Sequence, residues 1–146
     1  MSPPLTTETD LATRLRLAVT RTARRLRQEA GTDLTPSLSA ALATVESRGP
    51  LTPSELAAIE GVRRPTATKL VSKLSGAGLV NRAGDPNDGR VSLVSITPAG
   101  GALLHEMRMR KNAYLARRLR DLPREDLASL ERAAEVLERL LEDGRR

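Results

Sequence analysis

The sequence predicts a mainly α fold with a small β-wing, and three observations predict it. Several stretches repeat apolar residues at steps of three and four, the period of an amphipathic helix. Two of these helical stretches, a short one from Thr52 and a second from Pro65, are separated by a tight break at Gly61. Two runs rich in β-branched residues, at Leu79-Val80 and Val91–Ile96, then flank a polar loop carrying the turn signals Asp-Pro and Asp-Gly. Helix, break, helix, hairpin is the order of a winged helix-turn-helix, here flanked by N- and C-terminal helices. Its plainest use is to place one helix in a DNA major groove.

From the N-terminus, Asp10 to Glu29 is the first helix, with Leu11, Leu15, Ala18, Thr22 and Leu26 on one side. Leu34-Thr35-Pro36 starts a second that ends near Arg48-Gly49-Pro50. Its Leu38, Ala41, Leu42 and Val45 are placed to support the helix-turn-helix from behind. Thr52 is a good N-cap, Pro53 suits the first helical position, and Glu55 completes a capping box. Leu56, Ala57 and Ile59 give that helix its apolar face. The next runs from Pro65 to about Ser75 and is ended by Gly76 and Gly78. Its stripe of Ala67, Leu70, Val71 and Leu74 must pack inward, so Pro65, Thr68, Lys69 and Ser72 face outward with Thr66 and Lys73 on the flanks. Arg64 is expected at the N-cap, where it is a poor capper, which at the tip of a possible reading helix suggests selection for contact in place of stability.

In the hairpin, the segment from Arg82 to Arg90 is expected to be a projecting loop, with Arg90 at its root and Asp88 close enough to orient it. Thr97-Pro98 caps a long helix to about Arg120, with apolar points at Leu103, Leu104, Met107, Ala113 and Leu115. A last helix from Pro123 carries Leu127, Leu130, Ala134, Leu137 and Leu141, a heptad-like seam expected to be buried in a dimer interface.

The 146 residues suit one domain with a modest core. Phe and Trp are absent and Tyr114 is the one aromatic residue, so the core is expected to be Leu, Val and Ala. A net charge of +6 favours a polyanionic partner. The charge is uneven: residues 120–146 hold six basic and eight acidic residues, whereas residues 60–90 hold six basic against three acidic. The N-terminal MSPPLTTETD has no features of a secretory signal, and Pro3 and Pro4 are expected to be loose. No run reaches the roughly 18 apolar residues of a membrane span, and the absence of cysteine fits a cytoplasmic protein. Enzymatic chemistry is not expected. His105 is the one histidine and has no partner for a metal or a catalytic triad; Asp85 and Asp88 are turn formers; and no phosphate-binding glycine loop is present. Neither a metal nor a cofactor is expected.

Three stretches carry a family resemblance: LTPSELA at 51–57, RRPTATKLVSKLSGAGLVNR at 63–82 and DPNDGRVSLVSITPAG at 85–100. They resemble the MarR family of winged-helix transcriptional regulators. The last is the most specific, with its Asp-x-Arg wing (Asp88, Arg90) and Thr-x-x-Gly (Thr97, Gly100). The resemblance implies a single domain over 1–146, with a DNA-binding lobe at 35–100 and dimerisation helices at 8–30 and 101–146. It implies a homodimer on a pseudo-palindromic double-stranded DNA operator, usually a repressor, that a small aromatic or phenolic ligand releases. The branch that senses oxidants through cysteine is excluded, since this chain has none. The DNA-binding set is then Arg63, Arg64, Pro65, Thr66, Thr68, Lys69, Ser72, Lys73, Arg82, Asp88 and Arg90. Thr66, Thr68, Lys69 and Ser72 are expected at bases, Arg64 and Lys73 at phosphates, and Arg90 at the minor groove. A ligand pocket between the dimerisation helices and the reading lobe is expected to be lined by Leu, Val, Ala and Met, without a polar anchor. Two alternatives remain at this point: a winged-helix module that binds protein, and an architectural DNA binder indifferent to sequence.

Overall fold

The computed structural model describes residues 7–144; the expectation for Pro3 and Pro4 falls outside them. In chain order the elements are α1 (Glu8–Glu29), α2 (Pro36–Arg48), α3 (Pro53–Glu60), α4 (Arg64–Gly76), β1 (Val80–Gly84), β2 (Ser92–Ile96), α5 (Pro98–Arg120) and α6 (Arg124–Asp143). Every helix and strand expected from the sequence is present. One unit runs to Lys111 and a second begins at Asn112.

Threonines start four of the helices. The hydroxyls of Thr7, Thr35 and Thr52 accept from the amides of Asp10, Leu38 and Glu55, and Thr52 with Glu55 forms the complete capping box. Thr97 does the same for α5 and also ties it to the turn after α4. Its Oγ1 accepts from the Gly100 amide at 3.0 Å and donates to the Gly78 carbonyl at 2.7 Å. Gly100 is buried against this junction, and a Cβ there would collide with the Leu79 carbonyl oxygen. The Thr-x-x-Gly pattern therefore has a packing cause: hydroxyl and bare backbone together clamp the start of α5 onto the end of α4.

The core of the first unit gathers Ala41, Leu42 and Val45 of α2, Leu56 of α3, Val71 and Leu74 of α4, and Leu79, Val80 and Val94 around the hairpin, with Leu51 and Leu104 closing it. It contains no aromatic side chain, and burial of each Leu or Val contributes about 1.5–3 kcal/mol. β1 and β2 pair antiparallel, with Val80 opposite Ile96 and Arg82 opposite Val94. Leu51 adds a bridge to Val94, with amide-to-carbonyl bonds of 3.1 and 2.8 Å, which the sequence pattern did not suggest. Two details of the expected pattern are corrected. Ile59 is 42% exposed, because Leu56, Ala57 and Glu60 take the inward side of α3 and Ile59 falls beside it. Val91 stands before β2, its amide held in the loop turn by the Asp88 carbonyl.

In the second unit, the Arg118 guanidinium lies 5.7 Å from the centre of the Tyr114 ring. On α6, Leu127 and Leu137 are half-buried, while Leu130, Leu140 and Leu141 are exposed, the last at 71%. Leu11, Leu15 and Val19 of α1, in the first unit, are exposed as well.

Candidate nucleic-acid interface

The turn between α3 and α4 is set by Gly61, which takes the left-handed conformation (φ 65°, ψ 33°) that lets the chain leave α3 sharply. Arg63, not Arg64, is the N-cap of α4; Arg64 is the first helical residue and Pro65 the second. The helix begins one residue earlier than the sequence suggested because a proline is tolerated anywhere in the first turn, where amides lack helical partners. A guanidinium cannot accept a hydrogen bond, and Arg63 makes no side-chain cap. The first turn of α4 therefore keeps open amides flanked by two arginines, an arrangement suited to a phosphate oxygen.

Ala67, Val71 and Leu74 are buried and Leu70 half-buried, which turns Arg64, Pro65, Thr66, Thr68, Lys69, Ser72 and Lys73 to the exposed side. Two hydroxyls on this face are given opposite polarity. Thr68 Oγ1 donates to the Arg64 carbonyl at 3.0 Å, so its hydrogen is engaged and its lone pairs are offered outward. Ser72 Oγ accepts from Arg82 Nη2 at 3.2 Å and keeps its hydrogen to donate. Arg82 makes this contact because it lies within β1, which runs to Gly84, and not in the projecting loop where the sequence placed it. Among the described residues, the side chains of Arg63, Arg64, Lys69, Lys73 and Arg90 make no hydrogen bond or ion pair.

The wing loop closes on its own backbone. Asp85 Oδ1 accepts from the Asn87 amide at 2.8 Å and Asp88 Oδ1 from the Arg90 amide at 3.1 Å. Asp88 was expected to orient the Arg90 side chain; its carboxylate instead serves the amide, two residues on, as aspartates in turns commonly do. The guanidinium is left to project. Electrostatics follow from these contacts. The three acidic residues of 60–90 are each engaged inside the fold, Glu60 with the Thr44 hydroxyl and Asp85 and Asp88 within the loop. The cations of the same segment, apart from Arg82, are open. The outer surface of α4 and the wing therefore presents a positive potential to a polyanion.

A cavity of about 400 Å³ lies between α1, α2 and the Leu104–Lys111 stretch of α5. Its walls include Leu26, Ala30, Ala43, Leu104 and Met107, as expected, but Arg27, Arg108 and Lys111 also line it, so the expectation of no polar anchor is corrected. Leu104, Met107 and Lys111 follow one another at steps of three and four on one face of α5. That spacing was the available signal for Lys111. His105, next to Leu104, is exposed. Among the described residues, no helix is long and apolar enough to cross a membrane.

Similarity to known proteins agrees with this geometry. Residues 34–92 match the model of the MarR family. An HTH-type transcriptional regulator of Mycobacterium tuberculosis is 36% identical over 141 residues, which cover 96% of this chain and 99% of that protein. A solved structure of a Pseudomonas aeruginosa protein, described as a transcriptional regulator, superimposes with a TM-score of 0.83 at 34% identity, covering 92% of this chain and 97% of that one. The Staphylococcus aureus protein MepR, solved bound to an oligodeoxyribonucleotide, shares the fold with a TM-score of 0.70 at 18% identity, covering 89% of this chain and 97% of its own. These relatives are regulators and not enzymes. With its helix-turn-helix, its wing and a relative matched nearly end to end, the chain belongs to the MarR family of winged-helix transcriptional regulators.

Proposed function

We propose that this regulator works in the cytoplasm as a homodimer that represses transcription from a pseudo-palindromic DNA operator and is released by a small aromatic or phenolic ligand. The observation that carries the reading is the outer face of α4, where unpaired cations flank two hydroxyls fixed in opposite hydrogen-bonding roles. In this reading α4 enters the major groove. Lys69 meets guanine acceptors; Thr68 accepts from a base amino group; Ser72 and Thr66 complete the base contacts. Arg63, Arg64 and Lys73 meet phosphates beside the open amides of the first turn, and Pro65 packs against the backbone. Arg90 enters the minor groove. Arg82 and Asp88 act through their neighbours, one by fixing Ser72 and the other by closing the loop.

The lobe at 35–100 does the reading, and the helices at 8–30 and 101–146 pair the two copies. Support for pairing comes from exposed leucines on α1 and α6, an apolar surface that a monomer leaves in water. The cavity between α1, α2 and α5 is the place for the ligand. Selection of bound genomic fragments at moderate salt tests the whole reading. A few strongly enriched fragments sharing an inverted repeat are expected. Uniform retention of all fragments indicates a sequence-indifferent binder, and no retention indicates a protein-binding module; either result removes the proposal.

A further inference from the structure

A hydroxyl on a helix that reads DNA is ordinarily an undecided reader. It has one donor and two acceptor sites, its hydrogen swings to suit, and Ser and Thr are found against either kind of base edge. The two hydroxyls on the outer face of α4 have lost that freedom. Thr68 Oγ1 gives its hydrogen to the Arg64 carbonyl, which can only accept, so this side chain has nothing left to donate. Ser72 Oγ takes a hydrogen from Arg82 Nη2 at 3.2 Å, and a guanidinium can only donate. The positive charge beside that oxygen repels any further donor, while the Ser72 hydrogen has no acceptor among the described residues. Arg82 is suited to holding this polarity. It comes from β1, and among the described residues Ser72 is its one acceptor and no carboxylate pairs with it.

Thr68 and Ser72 share one face of α4, about 6 Å apart along its axis, and stacked base pairs are about 3.4 Å apart, so the two oxygens address base pairs about one or two steps apart. We propose that Arg82 is a specificity-determining positioning residue: it holds Ser72 as a donor, so that α4 selects a base acceptor at Ser72 and a base amino group at Thr68. This rests on α4 being the helix that reads bases. In the major groove guanine offers N7 and O6 and thymine offers O4, all acceptors, whereas cytosine offers only its amino group and adenine an amino group beside N7. An amino group brought to Ser72 meets an oxygen already held by a cation. A carbonyl brought to Thr68 meets only lone pairs. In either mismatch a polar group is shut away from water without a partner, and that cost falls on the wrong sequence alone. Arg82 thus acts on the choice of sequence from the wing strand without touching a base. Its removal returns to Ser72 the freedom to accept either kind of edge, so specificity relaxes at one position.

The test uses an operator recovered by genomic selection. Each base pair of one half-site is replaced in turn by the other three, and a scrambled duplex serves as the non-specific control. Fluorescence anisotropy gives Kd for the full chain and for Arg82→Ala, Ser72→Ala, the two combined, and Thr68→Val, which keeps the shape of threonine without its hydroxyl. Unchanged melting temperatures establish that the variants are folded. In the unaltered chain, exchanging the base that faces Ser72 for one of opposite polarity is expected to cost about tenfold, the scale of a hydrogen bond lost with its donor left unpaired. Ser72→Ala marks that position by flattening its preference. Arg82→Ala should reduce the preference there to about twofold or less, and should leave intact the neighbouring preference that Thr68→Val erases. The combined variant should match Ser72→Ala in base preference, because Arg82 acts through that hydroxyl. At the Thr68 position, a base analogue lacking only the amino group should cost the unaltered chain about tenfold and Thr68→Val nothing. Equal costs to both remove the polarity assigned to Thr68. If Arg82→Ala weakens every duplex by one common factor and leaves the preferences unchanged, Arg82 is a phosphate contact and the positioning role is wrong. The role is equally wrong if Arg82→Ala and Ser72→Ala relax different positions. If selection enriches no fragment, α4 is not a base reader, and the proposal falls with that reading.

Discussion

Replacing Lys69 and Lys73 by alanine, one at a time, separates base reading from phosphate attachment on a single helix. Both side chains are exposed and neither has a partner within the described residues. Truncation therefore removes no internal contact, and stability should change by no more than about 0.5 kcal/mol. Lys69 stands one turn from Ser72 and Pro65 on the outermost line of α4. A cation there that meets guanine contributes about 1–3 kcal/mol of discrimination, or about 5- to 150-fold in the ratio of specific to non-specific Kd. Lys73 lies on the flank, where a phosphate carries no sequence information. Its loss should weaken operator and scrambled duplex alike, and should lower the slope of log K against log salt by about one unit. Anisotropy titrations of both duplexes at several salt concentrations measure both quantities. Equal changes in the specificity ratio for the two variants would refute the division of roles along the helix.

Arg90→Ala should cost affinity most on operators with A/T-rich flanks, whose narrow minor groove attracts the guanidinium, and little on G/C-rich ones; matched titrations on both duplexes decide it. Gly100→Ala forces a methyl group against the Leu79 carbonyl and the Ile96 side chain, so thermal unfolding should show a loss of about 1–3 kcal/mol, the usual cost of overpacking. Leu130→Glu or Leu137→Glu should shift sedimentation from dimer to monomer at micromolar concentration and abolish tight operator binding. A monomer before mutation would remove the dimer.

The order of the fold was legible because its signals are local. Thr52 with Glu55, Gly61, Asp-Pro and Asp-Gly each act over a few residues, and all of them form the caps and turns that such residues favour. The outward face of α4 was legible for the same reason, since the stripe of Ala67, Val71 and Leu74 fixes which side is free. Contacts between distant residues were not legible. Nothing near Arg82 in sequence indicates that its guanidinium reaches Ser72, because that depends on how β1 crosses the end of α4. The same holds for Leu51 bridging Val94, and for Arg108 meeting Glu46 across 62 residues. Asp88 and Arg90 show a different limit. Their spacing suits an ion pair or an aspartate-closed turn equally well, and the geometry of the loop selects the turn.

On the operator, α4 is proposed to occupy a major groove and the wing a minor groove. Dimethyl sulfate protection on a selected operator tests it most directly, since the reagent methylates guanine N7 in the major groove and adenine N3 in the minor groove. Two clusters of protected guanine N7 are expected about 10 base pairs apart on one face of the duplex, related by a twofold axis. Protected adenine N3 should appear at their outer flanks, and Arg90→Ala should remove that adenine protection alone. Protection confined to adenine N3, or guanine protection without twofold symmetry, would contradict the placement of α4 in the major groove.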